Sequence, residues 1–270
     1  MADVTGSFVG SIPEHYDTYV GPAILEPFAA DLARRVPARV DGDVLETACG
    51  TGILTRQLRA RLDSGARLVA TDLSDAMLEY ARRKLGEPAG VEWRQADAAA
   101  LPFDSASFAV VACQLGLMFV PDKAAAMREA RRVLADGGLF VFNVWDRLEA
   151  IPHARAASEA LSALFPGDPV ADFAKVPYGF NDEALIRRLL TEAGFGDIRF
   201  EASKIEVRSP SAKSLAIGMV KGTPRSLMLK ERGASLEDVI DAVAAALARV
   251  GGDSPFRTPA QTIIVTARAG

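Results

Sequence analysis

From residue 43 onward, short apolar runs alternate with longer segments in which apolar side chains recur every three or four positions. The runs DVLETAC (43–49), RLVATD (67–72), VEWRQAD (91–97), SFAVVACQ (107–114) and GLFVFNVW (138–145) have the length and composition of buried parallel strands. Between them, ILTRQLRARL sets Ile53, Leu54, Leu58 and Leu62 on one helical stripe. Ser74 stands as an N-cap for DAMLEYARRKL, with Gly86 as terminator, and Asp122 caps KAAAMREARRVL, which stops before Gly137-Gly138. Strand–helix–strand alternation implies right-handed crossovers and a parallel sheet covered on both faces. The pattern continues with a capped helix opening at Asn181-Asp182-Glu183 and closing at Gly194, then β segments at 197–207 and 261–268.

Three regions stand outside this alternation. Residues 8–37 carry a helix over Ala23 to Val36 and are expected to form an N-terminal lid. Residues 146–180, rich in Ala and Pro, and residues 208–257, with the Ala-rich helix LEDVIDAVAAALARV, read as helical insertions. The whole, 1–270, is expected to be one domain built on a core at 40–146.

Composition narrows the class. With 49% hydrophobic and 24% charged residues the chain can bury a sizeable core. A net charge of -4 and a pI near 5.4 argue against a nucleic-acid-binding surface. No run of about 18 apolar residues suits a membrane span, and MADVTGSFVG does not read as a secretory signal. Cys49 and Cys113 make no disulfide framework and no Cys/His cluster has metal-ligand spacing, so a cytoplasmic protein without metal is expected. Both thiols read as small buried hydrophobes. The subunit count stays open between monomer and homodimer.

The chemistry concentrates in Glu46-Thr47-Ala48-Cys49-Gly50-Thr51-Gly52, where the first strand turns into the first helix. Gly50 and Gly52 permit tight backbone geometry and close approach of a ligand to the main chain. Twenty residues after Gly52, Asp72 ends the second strand, where a carboxylate accepts hydrogen bonds from ribose hydroxyls in nucleotide folds. A dinucleotide loop wants a third glycine, but Leu54 and Thr55 occupy that stretch, and no Gly-Lys-Ser/Thr phosphate loop follows. Glu46 would repel a phosphate and could pair with an amino acid's ammonium group.

The order VLETACGTG, ATDLSDAMLEYA, RQADAAALPFDSASFAVVACQ and REARRVLADGGLFVF resembles class I S-adenosylmethionine-dependent methyltransferases, nearest the ubiquinone/menaquinone-biosynthesis methyltransferase-like proteins. The resemblance covers roughly residues 40–146. It implies a Rossmann-like seven-stranded, mostly parallel α/β sheet in the order 3-2-1-4-5-7-6, with the last strand antiparallel, helices on both faces and a helical cap. It further implies that Glu46, Thr47, Ala48, Gly50, Thr51 and Gly52 hold the methionine part of S-adenosylmethionine, with Glu46 near the ammonium. Asp72 would bind the ribose, Leu73 and Met77 would pack on the adenine, and Asp97 with Ala98 would meet its edge. Gln114 would face the methionine moiety or the acceptor, and Tyr16 and Tyr19 would close over the cofactor. Ala48 stands where the family most often has glycine, tolerable if its φ is negative. Leu73 and Met77 could equally be helix-face core, and Asp97 could merely cap a turn.

The implied reaction is methyl transfer to a small-molecule acceptor by direct in-line displacement, releasing S-adenosylhomocysteine, with no protein nucleophile. No catalytic residue follows from the sequence. His15 and His153, the only histidines, lie in segments expected around the acceptor, where a general base is possible and a surface or capping role is favoured. An NAD-dependent oxidoreductase and a non-catalytic S-adenosylmethionine-binding protein are the alternatives the framework also accommodates.

Overall fold

A computed structural model describes residues 8–270, apart from the side chains of residues 172 and 173. Most of the segment read as no secretory signal, residues 1–7, lies outside the described residues. Seven strands form one sheet: β1 (Asp43–Glu46), β2 (Leu68–Asp72), β3 (Val91–Gln95), β4 (Phe108–Gln114), β5 (Leu134–Trp145), β6 (Phe195–Ser209) and β7 (Phe256–Ala269). Their order is β3-β2-β1-β4-β5-β7-β6, with β7 antiparallel to both neighbours and the other pairings parallel, as the resemblance implied. The central strands β2 and β4 are near-continuous apolar runs because both faces are covered, whereas the edge strand β3 buries only Trp93. The β6–β7 pair instead alternates buried and exposed residues along much of β6, as a half-solvated antiparallel edge does.

The helices are α1 (Ile12–His15), α2 (Glu26–Ala33), α3 (Ile53–Arg61), α4 (Asp75–Leu85), α5 (Lys123–Val133), α6 (Pro152–Leu164), α7 (Glu183–Glu192), α8 (Ala212–Lys221), α9 (Arg225–Glu231) and α10 (Leu236–Gly251). The expected caps are in place. Ser74 Oγ accepts the Met77 N–H, Asp122 Oδ1 the Ala125 N–H, and Asp182 Oδ1 the N–H groups of Ala184 and Leu185. Each stabilises its helix by about 1 kcal/mol. Leu54 and Leu58 of α3 and Leu78 of α4 are fully buried against the sheet. Burying each such side chain contributes about 1.5–3 kcal/mol.

Three boundaries differ from the sequence expectation. The N-terminal helical stretch begins at Ile12, not Ala23: α1 and α2 are joined by a π-helical segment, Tyr16–Leu25, which contains Pro22. Proline there lacks the N–H that an α-helix would use, so the widened turn accommodates it. The first strand stops at Glu46 rather than residue 49, since the next residues curve into the glycine loop. Finally, α5 passes directly into β5 at Leu134, and Gly137-Gly138 lies inside that strand. A side chain at Gly138 would press within 2.7 Å of the Ala135 carbonyl oxygen, so the residue serves a local irregularity in the strand and not a helix stop.

The regions outside the alternating core gather at one end of the sheet. The π-helical segment packs on α8, α6 packs on α10, and α8 packs on α10. They converge beyond the carboxyl ends of β1, β4 and β5, the place where open α/β sheets bind ligands.

Candidate cofactor and acceptor site

The loop after β1 is pinned from both neighbouring strands. Thr47 N–H donates to Ala112 O of β4, and Cys49 N–H donates to Thr71 O of β2, each at 2.9 Å. The backbone turns left-handed at Ala48 (φ 54°), between these anchors, and again at Gly50 (φ 56°), just after them. The negative φ on which tolerance of Ala48 depended is therefore not adopted. An L-residue there costs on the order of 1–2 kcal/mol, which the two anchors sustain. A Cβ on Gly50 would meet nothing within 4 Å, so this peptide presents bare backbone to open space.

Asp72 closes the loop from the end of β2. Its Oδ2 accepts the Gly50 N–H and its Oδ1 the Ser74 N–H, both at 2.8 Å. Each oxygen keeps a further lone pair for a ligand hydroxyl. Burial raises the Asp72 pKa, while the backbone donors oppose that rise. Glu46 is 1% exposed, and its Oε2 has no hydrogen-bond partner. Burial, with the Asp72 charge adding, pushes its pKa up to about 8. A buried carboxylate left without a partner is costly, and a cationic ligand would offset that cost.

A cavity of about 200 Å³ opens beside this loop. Of the sequence-expected residues, Tyr16, Ala48, Gly50, Asp72, Leu73, Met77, Asp97, Ala98 and Gln114 line it. A smaller adjoining cavity of about 30 Å³ brings in Glu46 and Thr51. Leu73 is 39% exposed on the cavity rim, whereas Met77 is buried beneath it. Asp97 Oδ1 accepts the Ala99 N–H at 2.8 Å, so it shapes a turn as well as lining the cavity. Gln114 Nε2 donates to Leu25 O at 2.8 Å and ties β4 to the N-terminal segment.

Three expected residues do not line these cavities. Thr47 is spent on the strand anchor. Gly52 caps α3 at φ 79°, and a Cβ there would strike Leu85 at 2.7 Å, so its smallness serves packing. Tyr19 turns away towards α8 and stacks on His15, with ring centroids 6.1 Å apart. His15 Nδ1 meanwhile donates to Ser11 O at 2.8 Å.

Other lining residues escaped the sequence reading: Phe8, Ala96 and, in the loop after β4, Leu115–Gly116 and Phe119–Pro121. This loop is held by Asn143 of β5, whose Oδ1 and main-chain O both accept the Leu115 N–H, at 3.0 and 3.2 Å. The signal was available. A single fully buried asparagine amid GLFVFNVW needs a polar task.

A second cavity, of about 100 Å³ and mostly apolar, adjoins the first through Phe8, Tyr16, Leu115 and Phe119. The three regions outside the core supply its remaining walls, including Val20, Ile24, Tyr178 and Met219, with Trp145 at the end of β5. Its polar groups are His153, Thr223, Arg225 and the tyrosine hydroxyls. Burial pushes Tyr178 up to about 12 and Arg225 down to about 10, so near neutral pH the phenol is neutral and the guanidinium charged.

The fold and the loop geometry together define a class, and comparison with known proteins agrees. Residues 45–142 match the methyltransferase domain family, and the strand order is the one that the resemblance to class I S-adenosylmethionine-dependent methyltransferases implied. Among curated proteins the chain is similar to the ubiquinone/menaquinone biosynthesis C-methyltransferase of Idiomarina loihiensis, 44% identical over 98 residues, covering 35% of this chain and 39% of that protein. It is also similar to the demethylmenaquinone methyltransferase of Lactococcus lactis, 36% identical over 138 residues, covering 48% and 54% respectively. The match thus spans about two fifths to one half of these curated relatives. The solved structure of Haemonchus contortus phosphoethanolamine N-methyltransferase 2 with S-adenosyl-L-methionine superposes with a TM-score of 0.62 at 15% identity, covering 95% of this chain and 56% of that one. That likeness shows the shared fold. None of these comparisons supports the NAD-dependent alternative.

The residues present fit S-adenosylmethionine, the cofactor of this class. Glu46 would meet the ammonium through its unpartnered Oε2, Gly50 would offer an open backbone, and Asp72 would turn two oriented oxygens to the ribose. When bound, the cofactor supplies an activated methyl group on a sulfonium. Among the described residues no group of three or more His, Cys, Asp or Glu could hold a metal, and no helix is long and apolar enough to cross a membrane. Cys49 and Cys113 are free and buried, and burial pushes the Cys113 thiol up to about 11, as suits packing rather than chemistry.

Proposed function

We propose that this protein transfers the methyl group of S-adenosylmethionine to a small apolar acceptor held in the cavity of Trp145, Tyr178 and Met219. One observation carries the reading: a fully buried glutamate without a partner for Oε2 lies across a bare glycine backbone from a doubly hydrogen-bonded aspartate. That set suits one ligand end bearing an ammonium and another bearing vicinal hydroxyls. The contiguous apolar cavity supports an acceptor beside it, and the names of the curated relatives favour a quinone-type ring. The chain's own contribution is positioning: Glu46 and Asp72 fix the donor at two points, and the apolar walls keep water from the reacting atoms. Residues 8–37, 146–180 and 208–257 form the acceptor side in this reading, with 8–37 as lid. The two free thiols suit a cytoplasmic setting. Calorimetry with S-adenosylhomocysteine, followed by mass detection of methyl transfer to a demethylated quinol, tests both halves. Binding without transfer to any quinol would favour a non-catalytic binder.

A further inference from the structure

His153 is the second residue of α6, placed just beyond the end of β5 by the turn Leu148–Ile151. It is 0% exposed and stands in the wall of the apolar cavity next to the methyl-donor site. Its two ring nitrogens are used differently. Nδ1 lies 3.2 Å from Thr258 Oγ1 of β7, whereas Nε2 has no hydrogen-bond partner. A buried imidazole nitrogen without a partner costs about 1–3 kcal/mol. An apolar side chain of similar size would fill the same space without that cost. Burial pushes the ring's pKa down to about 4, so it is neutral near pH 7. Arg225, Tyr16 and Tyr178, the other ionisable groups on this cavity, do not compete for the proton: one is cationic and two are neutral phenols.

We propose that His153 is the general base of the reaction: Nδ1–H is held by Thr258, and Nε2 accepts the proton of an acceptor hydroxyl seated in this cavity. The proposal rests on the methyltransferase reading above and adds to it the acceptor's chemistry, a weakly acidic O–H on a small apolar ring. The acceptor O–H bond breaks and its proton goes to Nε2. The freed oxygen pair forms the new O–CH3 bond, and the C–S bond breaks with its pair staying on sulfur. Charge balance favours this arrangement. One positive charge leaves sulfur as one appears on the imidazole, so the dry cavity's net charge does not change. Before transfer the nearby sulfonium opposes protonation of the ring, and afterwards that opposition is gone. A base that ionises only as the methyl moves avoids a buried imidazolium in the resting state.

The experiment uses the full chain loaded with S-adenosylhomocysteine and reads the imidazole nitrogens by ¹⁵N NMR. With two histidines, His15→Gln assigns the spectrum. The expected spectrum between about pH 5.5 and 8 shows a neutral His153 ring, protonated at Nδ1 and bare at Nε2. Phenol should shift Nε2 and bind about tenfold more tightly than anisole, which has no proton to give. In His153→Asn, whose amide keeps a donor towards Thr258, that preference should vanish while S-adenosylhomocysteine affinity stays unchanged. A proton on Nε2 in the neutral ring, equal binding of phenol and anisole, or no binding of phenol overturns the proposal. Absence of S-adenosylhomocysteine binding by the unmodified protein would instead overturn the methyltransferase reading itself.

Discussion

Asp17, buried in the π-helical segment, holds Lys84 of α4 through both carboxylate oxygens, each 2.7 Å from Nζ. The Tyr80 hydroxyl donates to the same carboxylate at 3.2 Å. This pair, with Ser74 Oγ donating to Phe8 O at 3.0 Å, fastens the segment that covers the cofactor cavity to the helix carrying Met77. Lys84 keeps 34% of its side chain exposed and Asp17 only 7%, so the two ends are not equivalent.

Lys84→Met should therefore destabilise more than an exposed ion pair would, because it strands a buried carboxylate. Solvent reaching Lys84 reduces the cost below that of a fully buried pair, to about 1–3 kcal/mol. A drop in Tm of several degrees is expected, with amide exchange rising first in residues 12–25. Unchanged exchange there would show that the fastening is not what orders the segment.

Ala48 and Gly116 form a second testable pair. A Cβ on Gly116 would lie 2.5 Å from the Ala48 methyl and 2.9 Å from Cys113 Sγ. Gly116→Ala should cost about 2–3 kcal/mol through overpacking. Ala48→Gly alone should be neutral to stabilising by about 1 kcal/mol, since φ is 54° there. Denaturant melts of the double variant should then recover part of the loss. Strict additivity would mean that the two residues do not compete for the same space.

Glu46 gives a pH dependence with a definite sign. In the unfolded chain it ionises near its ordinary value of 4.5, whereas in the fold it stays protonated until about pH 8. Between those values the folded state binds more protons, so stability of the ligand-free protein falls as pH rises through that window. The loss is on the order of a few kcal/mol, and Asp72, also raised by burial, adds in the same direction. Glu46→Gln should flatten most of the slope in melts from pH 5 to 8. An equally steep slope in the variant would place the titrating group elsewhere.

Much of this was legible in the sequence for identifiable reasons. Buried parallel strands and capped helices leave local signatures, so Ser74, Asp122, Asp182 and the five core strands fell where periodicity put them, apart from the end of β1 and the start of β5. Glu46, Gly50 and Asp72 were legible because a strand-to-helix turn and a strand end are fixed points of the topology. Long-range choices were not legible. Whether Tyr16 or Tyr19 faces the cavity depends on the phase of a π-helical turn, which the spacing of one apolar stripe does not set. Gly52 and Gly50 look alike in sequence, yet one is required by Leu85 and the other opens to the cavity. The left-handed Ala48 follows from anchors on β2 and β4 that only the assembled sheet provides.

Asp72→Asn keeps one carbonyl acceptor but removes the charge, and with it the stronger hydrogen bonds to ribose hydroxyls. Affinity for S-adenosylhomocysteine should fall about 10- to 100-fold, equivalent to about 1.5–3 kcal/mol. The melting temperature should change little by comparison, since one oxygen still accepts a loop N–H. Equal affinity in parent and variant would remove Asp72 from the cofactor site.

The most direct test of the central claim is proton-linked calorimetry of S-adenosylhomocysteine binding at pH 7 with excess chelator. If Glu46 is the ammonium's partner, it starts protonated and ends ionised, so each bound ligand releases close to one proton. The heats measured in buffers of different ionisation enthalpy should reveal that proton at one ligand per chain. Glu46→Gln should abolish the release and weaken binding. No binding in chelator, or binding with no linked proton in the parent protein, would contradict the account.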